Sequence, residues 1–157
     1  MSTLTLTDKR PLWFIANRAR IHLEGADTGG VFDLVEVEGR AGDMPPLHTH
    51  HGHDETLVVI EGRISLHLPG SAVMLGPGQS FFAPRGIPHV YRVESGTARW
   101  LGIGNPPGFA AFVREASDLA EDDGFPPADR APDLDRIGAA AERQNIELLA
   151  PPGTMPV

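Results

Sequence analysis

From Leu12 to Ile103 the chain runs as short apolar stretches interrupted by Gly- and Pro-built turns. Arg63–Leu68 sets Ile64, Leu66 and Leu68 against Arg63, Ser65 and His67, the period of a strand with one buried face. Pro69-Gly70, Gly76-Pro77-Gly78 and Pro84–Pro88 are turn chemistry. Similar short runs lie at Leu12–Ala16, Ala19–Leu23, Val31–Val37, Glu55–Ile60, Ala72–Leu75, Ser80–Ala83, His89–Val93 and Ala98–Ile103. Many short strands with regular turn signals predict an all-β fold, a small antiparallel sandwich or barrel. Val31–Val37 alternates too weakly to tell whether Phe32, Leu34 and Glu36 or Val31, Asp33, Val35 and Val37 turn inward.

After Pro106-Pro107 the period changes. Phe109, Phe112, Val113, Ala116 and Leu119 recur at helical spacing, and a second helix is expected over Leu134–Asn145. Asp133 caps it, and Leu134, Ile137 and Ala141 share a face. Ile146–Leu149 is a short apolar piece. The expected organisation is an N-terminal arm at 1–11, a barrel at 12–104, and a C-terminal helical extension packed on it at 105–157.

The net charge of −8 argues against a nucleic-acid-binding surface and against an anionic membrane as partner. No apolar run approaches the ~18 residues of a membrane span. The first residues lack the pattern of a secretory signal, so a cytoplasmic protein is expected. With no cysteine there is neither disulfide nor thiolate chemistry.

One stretch stands apart. GDMPPLHTHHGHDETLVVIEG, Gly42–Gly62, holds four of the seven histidines and then Asp54 and Glu55. Imidazole nitrogens with a carboxylate suit divalent transition metals. His48 and His50 are two apart and point to one face of an extended strand. Glu55 follows a Gly52 turn and opens the next strand, which brings all three side chains together. His51 and His53 fall in the turn and are expected to be solvated, with an alternate ligand or a partner of a ligand as the other reading; Asp54 is expected to point away from Glu55, and His22 and His67 to be structural or surface residues. His89, straight after the Pro84–Pro88 bend, supplies a fourth candidate ligand from a distant strand. Metal identity stays open among Ni, Mn, Fe, Co, Cu and Zn.

These residues carry a resemblance. Gly42, His48, His50, Glu55 and Gly62 stand at the spacing of the first cupin motif, and Gly78, Pro84, Gly86 and His89 at that of the second. Where the second motif often ends in Asn, this chain has Val93. The resemblance implies a cupin barrel (jelly roll, double-stranded β-helix) binding one divalent ion through His48, His50, Glu55 and His89. The stretch ADTGGVFDLVEVEGRAGDMPPLHTH, the NPPGFAAFVREAS helix and the NIELLAPP tail look like single-domain, quercetinase-like cupins. Quercetinases are flavonol dioxygenases that hold a metal through three His and one Glu and open the flavonol ring with O2, releasing carbon monoxide.

The resemblance thus implies a metal-dependent dioxygenase acting with O2 on a flavonol-like or other enolisable aromatic molecule, with Glu55 as catalytic base. Alternatives are a non-oxidative isomerase or polyketide cyclase/aromatase using the metal as Lewis acid, and a non-catalytic small-ligand-binding cupin. Candidate pocket residues are Phe32, Leu57, Val59, Tyr91 and Trp100, with Phe82, Phe109 and Phe112 as further aromatics. Arg40 and Arg85 are candidate anion contacts. Barrel edges need cover, and an N-terminal arm pairing with a partner chain would give a homodimer.

Overall fold

The computed structural model describes residues 9–157, so most of the expected N-terminal arm lies outside it. Among the described residues, twelve strands and two helices form a small antiparallel jelly roll with its two helices C-terminal. The larger sheet holds β1 (Leu12–Phe14), β2 (Asn17–Leu23), β3 (Asp33–Arg40), β5 (Asp54–Glu61), β8 (Ser80–Ala83), β10 (Thr97–Asn105) and β11 (Ser117–Leu119), in the order β11-β1-β2-β3-β10-β5-β8. The second layer is made of two ribbons. One pairs β12 (Ile146–Ala150) with β4 (Leu47–His50). The other has β6 (Ile64–Leu68) between β7 (Ser71–Leu75) and β9 (Val90–Val93). Among the described residues an antiparallel bridge, His48 to His89, joins the ribbons.

Alternation decides what faces the core. In β3, Asp33, Val35 and Val37 are buried, which resolves the face that the sequence pattern leaves open. In β10, Ala98 and Trp100 point inward, and in β5 Glu55, Leu57 and Val59 do so. Trp100 stands opposite Val59, and Gly104 opposite Glu55. At Gly102 a Cβ would lie 2.9 Å from the Phe109 ring and 3.6 Å from Glu55 Oε1. The bare backbone there makes room for an aromatic ring beside a buried carboxylate.

The segment after Asn105 departs from expectation at two points and, at a third, resolves what the sequence leaves open. Helix α1 (Phe109–Ala116) stops at Ser117, and Ser117–Leu119 extends as β11 against β1. Helix α2 (Leu134–Arg143) is capped by Asp133, whose side chain accepts from the Arg136 N–H, yet Leu134 is 74% exposed. Only Ile137, Ala140 and Ala141 are buried, because Leu134 sits on the first turn beyond reach of the core. The apolar piece at Ile146 is β12, which lies beside the strand carrying His48 and His50.

Helix α1 is held by an acid from another element. Gly108 precedes it and offers no side chain to its unpaired N–H groups. Asp33, 1% exposed, takes over: Oδ2 accepts from the Gly108 and Ala110 N–H groups at 2.8 and 3.0 Å, and Oδ1 from Gly104 N–H at 3.1 Å. Burial pushes this carboxyl up, and the three N–H groups oppose that shift without cancelling it. Asp33→Ala would leave three N–H groups unpaired. Denaturant unfolding should show a loss of about 3 kcal/mol, and a loss below about 0.5 kcal/mol would remove Asp33 as the anchor of α1.

Candidate metal centre

Each candidate ligand is placed by a backbone feature. His48 and His50 share a face of β4, and Glu55 is the second residue of β5. His89 precedes β9 and is fixed against β4 by two backbone hydrogen bonds, His89 N–H to His48 O at 3.0 Å and His48 N–H to His89 O at 3.4 Å. Opposed residues of such a pair project to the same side. One nitrogen from each imidazole and one Glu55 oxygen lie within 4.8 Å of one another.

The donor set fits a divalent ion. His48 Nδ1 lies 2.8 Å from Pro46 O and His89 Nδ1 lies 3.0 Å from Ile87 O. A carbonyl only accepts, so both Nδ1 atoms carry the proton and His48 Nε2 presents a lone pair, while His89 Nε2 lies 3.2 Å from Glu55 Oε2 and donates to that carboxylate when its ring is protonated. Buried His50 Nε2 has no hydrogen-bond partner, although it stands 3.2 Å from Glu55 Oε2. An unpartnered buried nitrogen facing a carboxylate is costly unless something binds both. Three imidazoles and one carboxylate would leave one or two positions of a five- or six-coordinate ion for a substrate, unlike a closed structural zinc site.

Burial and mutual charge set the protonation pattern. His48 is lowered to about 3, first by burial and then by the neighbouring His89 and His50. Burial pushes the Glu55 carboxyl up, but His50 and His89 outweigh it and hold Glu55 well below the usual carboxylate range. For His89, burial pulls down and the Glu55 carboxylate more than compensates, so the imidazole is raised. A carboxyl held ionised within this cluster is the charge that a cation would meet.

The other cluster residues separate. His51 is exposed and pairs with Glu147 at 2.7 Å. His53 departs from the solvated turn expected of it: it is 1% exposed, its ring 4.4 Å from that of His50, packed where a Cβ on Gly108 would come within 2.9 Å. Burial, then the charge of His50, lowers His53 to about 4. It lies outside the four-residue donor group. Asp54 points away, as expected, and takes Arg85 in a two-pronged ion pair at 3.0 and 3.1 Å. That pairing holds Asp54 down at about 2 and occupies Arg85. Arg40 stacks its guanidinium on the Phe125 ring at 5.1 Å.

A cavity of about 40 Å³ adjoins the four ligands. Leu57, Tyr91 and Trp100 line it, together with Phe109 and Phe112 of α1. Phe32 and Val59 are not among its lining residues: Phe32 lies in the loop pinned by Thr28, and Val59 packs in the core. Phe82 is 57% exposed on the edge strand β8. Sequence reasoning passed over Phe14, Ile15, Ile146 and Leu148, which also line the cavity. For Ile146 and Leu148, the alternation in NIELLA was a usable signal.

Residues 34–104 match the family described as Cupin domain, and this stretch is a cupin domain. It is 31% identical over 132 residues to a protein of Bacillus subtilis (strain 168) named quercetin 2,3-dioxygenase. The match takes in 84% of this chain and 39% of that relative's length. Among solved structures, the polyketide cyclase RemF from Streptomyces resistomycificus superposes with a TM-score of 0.55 at 28% identity, over 67% of this chain and 79% of RemF. KdgF from Halomonas sp. shares the fold, with a TM-score of 0.53 at 22% identity, over 58% of this chain and 79% of KdgF. No helix of the described residues is long and apolar enough to cross a membrane.

The depressed imidazoles predict a pH response of the metal-free protein. His48 and His53 stay neutral in the fold, while in the unfolded chain each takes a proton near 6.5. The unfolded state therefore binds more protons below that pH. Their contribution is complete above 6.5 and falls away as pH drops toward about 4 for His53 and about 3 for His48. Thermal unfolding of metal-free protein should show Tm falling with acidification through that window, less steeply for His53→Gln. An unchanged slope in that variant would exclude His53 as a contributor.

Proposed function

We propose that the protein is a metal-dependent cupin dioxygenase acting with O2 on a flavonol-like or other enolisable aromatic molecule. The observation that carries this reading is the convergence of His48, His50, Glu55 and His89 beside a cavity walled by Tyr91, Trp100, Phe109 and Phe112. The similarity to quercetin 2,3-dioxygenase supports it.

In this reading the three histidines and Glu55 hold one divalent transition ion. Such an ion supplies Lewis acidity toward an enolate oxygen and a fixed position against which substrate and O2 are oriented. The chain does the rest. Aromatic walls take a planar ligand and exclude water. Glu55 accepts the substrate hydroxyl proton at a carboxylate oxygen. Its depressed pKa makes it a weak base, so it must loosen part of its present contacts to do so.

The cavity is far below the ~300–1,000 Å³ of ordinary small-molecule sites. A flavonol enters only if the mouth opens. Leu148, 39% exposed, and half-buried Ile15 line the cavity, and the φ of 56° at Ile15 is a left-handed conformation costing a β-branched residue about 1–2 kcal/mol.

A second reading is a polyketide cyclase or aromatase, favoured by the similarity to RemF. There the same site polarises a carbonyl without O2. Metal analysis followed by an oxygen-uptake screen of flavonols separates the two. The dioxygenase reading expects one ion per chain and flavonol-dependent O2 loss. Turnover that proceeds equally without oxygen would favour the cyclase. Glu55→Gln should reduce turnover by about 10²–10⁴-fold in protein that still holds its ion; full turnover would rule out the base role.

The reading includes a homodimer. Edge strands β7 and β8 expose Met74 and Phe82, apolar surface that a second copy would cover. Sedimentation equilibrium should give twice the chain mass, and a monomer at micromolar concentration would contradict it.

A further inference from the structure

Among the residues that line the cavity, Tyr91 is the one that carries a hydroxyl. Its hydrogen bonding is dictated by a chain of groups leading away from the cavity. Asp43 Oδ2 accepts the Arg40 N–H at 2.7 Å and faces Asn17 Nδ2 at 3.3 Å. A carboxylate at neutral pH only accepts, so the amide turns its NH2 toward Asp43 and its Oδ1 toward Tyr91. The Tyr91 hydroxyl lies 2.8 Å from that Oδ1. An amide oxygen cannot donate, so Tyr91 gives its only proton to Asn17. The amide has little freedom to turn. Asn17 is 5% exposed, and a Cβ on Gly39 would come within 2.7 Å of its Nδ2. On the far side, the Tyr91 ring packs edge-on to Trp100 at 4.8 Å.

The geometry points to Tyr91 as a specificity-determining residue that can accept a hydrogen bond from a ligand but cannot donate one. Asn17 is its positioning residue, setting the direction of the hydroxyl proton from outside the cavity. The site therefore favours an aromatic ligand presenting a hydroxyl to Tyr91. It disfavours the same ligand carrying an ether or carbonyl there, which would set two acceptors against each other. This inference rests on the hydroxylated-aromatic reading above and adds to it the hydrogen-bond sense of the ligand's second polar contact.

The test is a binding measurement that needs no turnover. Zn(II)-loaded protein is titrated by calorimetry under nitrogen with quercetin and with its mono-O-methyl ethers, leaving out the ether of the enol hydroxyl. In the wild type, one ether should bind at least about fivefold more weakly than quercetin, the value of one neutral hydrogen bond. Tyr91→Phe should bring that ether level with quercetin and leave the ratios of the others unchanged. Asn17→Val frees the Tyr91 proton to turn into the cavity, so the same ether should gain relative to quercetin. A purely structural role for Tyr91 would weaken all ligands alike; that result, or a preference that survives in Tyr91→Phe, overturns the inference. Wild type that discriminates as described but consumes no O2 with flavonols sinks the dioxygenase reading and leaves Tyr91 standing. Wild type that turns flavonols over without any dependence on Tyr91 sinks the inference alone. Absence of all binding overturns both.

Discussion

The two backbone hydrogen bonds between His48 and His89 are the constraint on which the site depends. Among the described residues they bridge the β12-β4 ribbon and the β7-β6-β9 ribbon, beside a hydrogen bond from Gly86 N–H to His50 O at 2.7 Å, and make one layer from two. They also fix register at the point where register matters most. The side-chain period of a strand is two, and a slip of one residue would turn His89 away from His48 and His50. Glu55 enters from the opposite layer, and its Oε2 lies 3.2 Å from both His50 and His89 Nε2. The candidate centre therefore spans the two sheets and depends on their packing distance as well as on strand register.

Two buried acids show how the same side-chain chemistry is put to different ends. Asp33 is surrounded by three backbone N–H donors, which satisfy it and dock α1 against the barrel. Glu55 faces imidazoles, and one of them, His50, has an unpartnered Nε2. A carboxylate satisfied by main-chain N–H groups is a structural fastener; one facing unpaired nitrogens suits a cation. The two are linked through α1. Asp33 seats the helix, and the helix brings Phe109 and Phe112 to the cavity wall beside Glu55.

The fold alone does not choose among chemistries, because neighbours as different as the cyclase RemF and KdgF share it. The choice has to come from the cavity. Its walls are largely aromatic and aliphatic, and its lining residues with polar side-chain groups are the four candidate ligands, Tyr91 with its hydroxyl and Trp100 with its indole N–H. Arg85 pairs with Asp54, Arg40 stacks on Phe125, and neither lines the cavity. An uncharged, planar, hydroxylated molecule suits such a wall better than a phosphate or a carboxylate.

The sequence by itself determined the strand meander and the convergence of His48, His50, Glu55 and His89. Both are written in local spacing: the two-residue period of strands, a glycine turn between ligand strands, and a proline bend before His89. Tertiary structure alone decided what lies far apart in the chain or depends on packing. His53 reads as a turn residue until α1 closes over it at Gly108. Leu134 reads as core until the first turn of α2 proves to extend past the barrel. Ile146 and Leu148 become cavity wall only because β12 pairs with β4, and Asn17 gains its hold on Tyr91 from a strand 74 residues away. Spacing encodes which neighbours share a face, but it carries no record of which distant surface that face will meet.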